Sequence, residues 1–166
     1  DNRYVNTADL RVSGVDLTGS WTFHLGDDRI ALGASGSWIL TYEQRTTPDA
    51  PAVDRAGVAN FPVDFRGRLT ADWTRGRFTA GAALNYVSAY EDALGARIDA
   101  QPSVDLQLRL APADRGPLAG IAATLGVRNA FDRAPPVYDN IAGVAYDPAN
   151  ADPIGRFAWV QLTRDW

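Results

Sequence analysis

The sequence predicts an all-β fold: an antiparallel meander of about seven long strands, part of a transmembrane β-barrel and an open curved sheet if alone. Three observations lead there. Apolar and polar residues alternate with period two along most of the chain. The alternating segments are long, roughly 10–16 residues, and the connections between them are short and long in turn. A helix cannot segregate two such residue sets, whereas a strand puts successive side chains on opposite faces.

Residues 9–25 carry Leu10 and Val12 in one phase, then Val15, Leu17, Trp21, Phe23 and Leu25 in the other. The switch at Ser13-Gly14 predicts a β-bulge. Residues 30–43 place Ile30, Leu32, Ala34, Trp38, Leu40 and Tyr42 on one side. From 63 to 74 the odd positions read Val, Phe, Gly, Leu, Ala, Trp and the even ones Asp, Arg, Arg, Thr, Asp, Thr. Residues 78–91 align Phe78, Ala80, Ala82, Leu84, Tyr86 and Tyr90. Residues 102–111 set Val104, Leu106, Leu108 and Leu110 against Asp105, Gln107 and Arg109. A weaker alternation at 119–130 uses Ile121, Ala123, Leu125 and Val127, and 156–166 ends the chain with Ala158, Val160 and Leu162 against Gln161, Thr163 and Asp165.

Strands of soluble proteins are mostly ~5–6 residues long, whereas a tilted strand needs ~9–11 to cross the hydrocarbon of a bilayer. Residues 26–29, 75–77 and 112–118 are short links; 44–62, 92–101 and 131–155 are longer. Outer-membrane barrels have this asymmetry, with tight periplasmic turns and large external loops. Aromatic residues on the apolar faces, among them Trp21, Trp38, Phe65, Trp73 and Phe78, cluster toward strand ends, as in the girdles at two membrane interfaces. The same residues filling an ordinary core is the plainer alternative.

The composition excludes several classes. With Lys+Arg 16 against Asp+Glu 20 and a net charge of −4, no basic stripe exists for nucleic acid. Cys, Lys and Met are all absent, which removes disulfides, thiolate metal sites, P-loop lysines and Schiff bases. The missing Met, at position 1 as elsewhere, leads us to expect a piece of a longer product. No apolar run reaches the ~18 residues of a membrane helix, and Asp1-Asn2-Arg3-Tyr4 is unlike a signal peptide.

The last forty residues resemble a known family. Asn129-Ala130-Phe131-Asp132-Arg133-Ala134-Pro135-Pro136 is similar to the Asn-Leu-Phe-Asp-Arg-x-Pro-Pro segment of TonB-dependent outer-membrane receptors. Tyr146-Asp147-Pro148, Gly155-Arg156 and a final alternating strand resemble that family's closing pattern, and Gly14-Val15-Asp16-Leu17 its Gly-Val-Glu-Leu strand. Ala130, Asp16 and Trp166 depart from the usual Leu, Glu and terminal Phe. The resemblance implies that residues 1–166 are a C-terminal barrel segment whose plug domain and TonB box lie elsewhere. It implies active uptake of a scarce ligand across the cell outer membrane, be it siderophore, vitamin or oligosaccharide. The implied partners are outer-membrane lipids, the barrel-assembly machinery, the TonB complex through the plug, and a small-molecule ligand. Family barrels have about 22 strands, so seven make an incomplete wall.

Individual residues carry narrower expectations. Under the resemblance, Trp166 with Leu162 and Val160 is the C-terminal assembly signal; as plain chemistry, Trp166 is an interfacial anchor. Arg66, Arg68, Arg109 and Arg128 fall on the polar face, to meet a ligand or to pair with Asp64, Asp72 and Asp105. Tyr138 and Tyr146, with Asp139, Asn140, Asp147, Asn150 and Asp152, sit in the last loop, as ligand contacts or as loop structure shaped by its prolines. A lone His24 without Cys makes no zinc site. The Asp-rich run lacks a calcium-loop spacing, and Gly33-Ala34-Ser35-Gly36 is no nucleophile elbow. Glu43 and Glu91 form no acid–base pair. We therefore expect no enzyme, no metal and no cofactor. Two alternatives stay open: a small independent outer-membrane barrel of eight strands that uses residues 1–8, and a soluble lipocalin-like barrel with its apolar face inward.

Overall fold

The computed structural model describes residues 9–47, 49–113, 115–116, 119–139 and 143–164. Ten strands and no helix form among them: β1 Asp9–Leu25, β2 Asp28–Arg45, β3 Val53–Asp54, β4 Phe65–Arg75, β5 Phe78–Val87, β6 Tyr90–Glu91, β7 Arg97–Ile98, β8 Gln101–Leu110, β9 Ile121–Arg128 and β10 Phe157–Arg164. The main sheet runs β1-β2-β4-β5-β8-β9-β10, with β3 attached to the side of β2. All of its pairings are antiparallel. It is an open meander, with β1 and β10 at its two edges, and the expected all-β architecture is present.

Register follows from the period-two pattern, because a slip of one residue would move every apolar side chain to the wrong face. One row crosses the whole sheet as Trp21, Leu32, Ala71, Ala82, Leu106, Val127 and Ala158. The phase switch in β1 coincides with a register shift. Ser13 faces Thr41, Gly14 faces Ile39, and Leu40 is passed over. Glycine is required there, since a Cβ on Gly14 would lie 2.5 Å from the Trp38 carbonyl oxygen. The two tightest links turn on Gly26 and Gly76, with φ of 61° and 56°, a conformation glycine takes without steric penalty.

The boundaries differ from the sequence reading in one consequential place. The expected strand 78–91 stops at Val87, and Tyr90 belongs instead to a separate two-strand hairpin, β6–β7. Tyr90 therefore leaves the apolar row. It is buried with Ala59, Val63 and Ile98 in a small core under the longer loops, backed by Val87 and Tyr138. Backbone bonds tie this cluster together: Ala59 N–H donates to the Glu91 carbonyl at 2.8 Å, and Glu91 N–H to the Gly57 carbonyl at 2.9 Å. The link at 44–62 also shifts, to 46–64, because β2 runs on to Arg45 and β4 begins only at Phe65, and within it β3 folds back onto β2.

The apolar face of the main sheet is bare. Leu17 is 65% exposed, Leu69 53% and Leu162 71%. Aromatic pairs gather at both ends of this face. Trp38, Phe65 and Tyr86 meet at ring-centroid distances of 4.5 and 6.1 Å toward the long-loop end, and Trp73 meets Phe78 edge-on at 6.2 Å beside a tight turn. Phe65 and Trp73 lie at opposite ends of β4, about 27 Å apart at the usual strand rise. A tilt of about 40° would bring that to roughly 21 Å, near the height of a barrel's apolar band. The total accessible surface is 11769 Å², well above the about 8,000 Å² that a compact monomer of this mass presents.

Candidate functional site

The opposite, polar face carries the packing. After β9, Asn129 and the segment Pro148–Gly155 lie over it, the segment forming one side of a cleft of about 820 Å³. β4, β5, β8, β9 and β10 supply the other side. Three of its lining arginines face three aspartates: Arg66, Arg68 and Arg128, with Asp72, Asp105 and Asp152.

The loop is fixed by two buried side chains. Asp147 is 1% exposed and Asn150 5%. The Asp147 carboxylate accepts from the Asn60 backbone N–H at 3.2 Å and the Ala149 N–H at 3.0 Å. Arg66 donates to Asn150 Oδ1 at 2.6 Å and to the Ala149 carbonyl at 3.3 Å, which holds the loop against the sheet. A second network lies nearer solvent, with the Arg68 side chain about half exposed. Arg68 donates to Asn85 Oδ1, and its guanidinium is 3.5 Å from Asp105. Asn85 in turn donates to Asp105 at 2.9 Å, and Asp105 accepts the Asn129 backbone N–H at 3.0 Å. Arg128 reaches Asp152 at 3.5 Å.

Of the residues singled out from sequence, Arg66, Arg68 and Arg128 line the cleft, with Asp72 and Asp105 of their expected partners. Arg109 also faces the polar side but stands outside the cleft, in the register row of Thr79 and Thr124 near the tight-turn end. Tyr138 lies against the loop core, its hydroxyl accepting from Asn60 Nδ2 at 3.4 Å. Tyr146 is half-buried beside Asp147 and outside the cleft. Val160 and Leu162 stand exposed on the apolar face of β10, while Trp166 and Asn140 lie outside the described residues.

Sequence reading missed Asn85, Gln107 and Trp159. The signal existed: each lies at the polar parity of its strand, opposite Leu84, Leu106 and Val160. Trp159 is the surprise, an aromatic on the polar face. Its ring covers Gly126 of the neighbouring strand, filling the space that a side chain would need. An aromatic ring laid over a cross-strand glycine shields backbone that would otherwise be open.

No protein-family model, curated protein or solved structure matches the chain.

Proposed function

We propose that this chain is wall from an outer-membrane β-barrel, and that the barrel is a TonB-dependent receptor taking up a scarce small ligand. One observation carries the wall reading: the loop and the cleft occupy the polar face, and the apolar face is left uncovered. A soluble barrel would turn Leu69, Leu106 and Leu125 inward, yet all three are exposed. In a bilayer that face meets lipid, and the polar face becomes the lumen. The two aromatic clusters then mark the interfaces.

The receptor reading rests on the resemblance of Asn129–Pro136 and Tyr146–Pro148 to the family's closing motifs. The loop built from those residues is the one that forms a side of the cleft, a position suited to meeting cargo. In this reading the chain performs no chemistry and supplies wall, external loops and assembly strand.

The test is an immunoblot of fractionated source cells with antibody to this segment. The expected result is an outer-membrane band several times larger than the 17.9 kDa of this chain. A band near that mass in the same fraction would replace the receptor by a small barrel, and a band in the soluble fraction would sink both.

A further inference from the structure

One register row of the polar face reads Asp72, Gly81, Gln107, Gly126, Trp159 across five strands. All five positions line the cleft except Gly126. Glycine at alternate positions opens the row. The Asp72 carboxylate leans over Gly81, and the Gln107 side chain approaches the same glycine from the other strand, its Cγ 3.0 Å and Nε2 3.1 Å from where a Cβ would sit. The Trp159 ring lies over Gly126. None of Asp72, Gln107 and Trp159 has a hydrogen-bond or ion-pair partner among the described residues. A flat aromatic surface, an amide and a carboxylate thus stand side by side on the cleft floor with their polar capacity unused.

The walls above restrict what such a floor can take. Arg68 is already engaged with Asp105, and Arg128 with Asp152; Arg66 is held by Asn150. With three arginines and three aspartates lining the same space, neither an anion nor a cation meets a field of one sign. What remains complementary is a neutral molecule with one apolar face and a rim of hydroxyls. The apolar face stacks on Trp159, and the hydroxyls donate to Asp72 and exchange hydrogen bonds with Gln107. Sugars have that chemistry, and the cleft volume lies within the range of small-ligand sites.

We propose that the Asp72–Gln107–Trp159 row is a binding site for a neutral oligosaccharide. This rests on the wall reading, which makes the polar face a lumen. The experiment uses the full 166-residue chain refolded in detergent, titrated calorimetrically with tri- and tetrasaccharides of glucose, galactose, mannose and N-acetylglucosamine, and with citrate and choline. Binding of at least one neutral sugar is expected at millimolar concentration or below, with citrate and choline silent. Asp72→Asn and Gln107→Ala should each weaken it tenfold or more, and Trp159→Phe should weaken it less than Trp159→Ala. Because Trp159→Ala uncovers Gly126 and can disturb the strand, Asp72→Asn is the deciding variant. No sugar bound at 10 mM, preferential binding of citrate or choline, or unchanged affinity in Asp72→Asn would overturn the proposal. Quenching of tryptophan fluorescence by brominated lipid, read on the same material in vesicles, tests the wall separately. Quenching without sugar binding refutes the site alone, and sugar binding without quenching refutes the wall alone.

Discussion

Asn150 donates a hydrogen bond from its side-chain amide to Asp147 at 2.7 Å, and from the same nitrogen to the Phe61 carbonyl at 2.8 Å. Three residues apart in one loop, the two side chains thereby clamp the loop after β9 to the loop between β2 and β4. Arg66 grips the same asparagine from the sheet, so a single buried pair fixes three parts of the chain. Replacing Asp147 by Ala strands the Asn60 and Ala149 N–H groups and one amide hydrogen. An unsatisfied buried group costs about 1–3 kcal/mol. We expect Asp147→Ala to speed amide exchange by tenfold or more across residues 143–153, while β4 and β5 keep their protection. Unchanged exchange in the loop would refute the clamp.

The Tyr90 phenol lies in the loop core, where burial raises its pKa well above the ordinary phenol range, helped by the nearby charge and hydrogen bond of Asp147. A raised folded-state value stabilises the fold fully below the unfolded value of about 10, and that contribution is lost as pH rises beyond it. Absorbance at 295 nm should therefore show one tyrosine still protonated when the exposed tyrosines have ionised, with its release coinciding with loss of loop structure. In Tyr90→Phe that late step should vanish. A late step that persists in Tyr90→Phe would assign it elsewhere.

Asp54 acts at the other end of the pH scale. Its exposed carboxylate accepts the Ala56 N–H at 3.0 Å and the Tyr42 N–H at 2.9 Å, and these bonds hold its pKa below the usual carboxylate value. Its contribution is present above that usual value, near 4, and falls away as pH drops through the folded one. Exchange at Tyr42 and Ala56 should accelerate at acid pH in the wild type. In Asp54→Asn the same amides should show little such dependence; an equal acceleration in both proteins would remove Asp54 as its source.

Gly126 and Trp159 are coupled through space. Gly126→Val puts methyl groups where the ring lies, and overpacking of this kind costs about 1–3 kcal/mol. Adding Trp159→Ala removes the obstacle. The double variant should be more stable than the sum of the single effects allows, by about 1 kcal/mol or more in a double-mutant cycle. Strict additivity would show that the ring does not occupy that space.

Leu69 sits halfway along β4 between Phe65 and Trp73, and half of it is exposed. On a water-facing surface, Leu69→Arg would change stability by less than about 0.5 kcal/mol. Facing the middle of a bilayer, it costs about 2–4 kcal/mol. Denaturant titration of the protein folded into lipid vesicles distinguishes the two, and a neutral outcome would count against the lipid-facing assignment.

Much of the sheet was legible because one residue in two is apolar over long stretches. Parity alone predicts that Leu69 pairs on the same face as Leu84 and Val104, and the register confirms it. The Ser13-Gly14 bulge was legible for the same reason, as a break in parity. The cleft was legible only in part. Arg66 and Arg68 stand out as charges. Arg68 and Asn85 face each other across the β4–β5 hairpin, so parity and the tight turn carry that pairing, but the partner of Arg66, Asn150, lies 84 residues on, and no local period carries that information. Tyr90 was misplaced because the alternation of 78–91 runs on past the point where the backbone leaves the sheet. Tertiary packing of three loops, not propensity, decides its position.

Among the described residues the strands are longest at one flank, 17 residues in β1 and 18 in β2, and shorter beyond it, 11, 10 and 10 and then 8 in β9 and β10. The upper border is therefore a slope, tall at the β1 flank and low at the β10 flank. Were the two flanks to meet each other directly, about half of β1 would face no backbone at all, a mismatch that strand pairing resists. In the proposed barrel each flank would meet a neighbour of its own height. In an assembled ring the rim would be highest where β1 and β2 stand and would dip toward β10, giving anything that approaches from outside a low side to enter by.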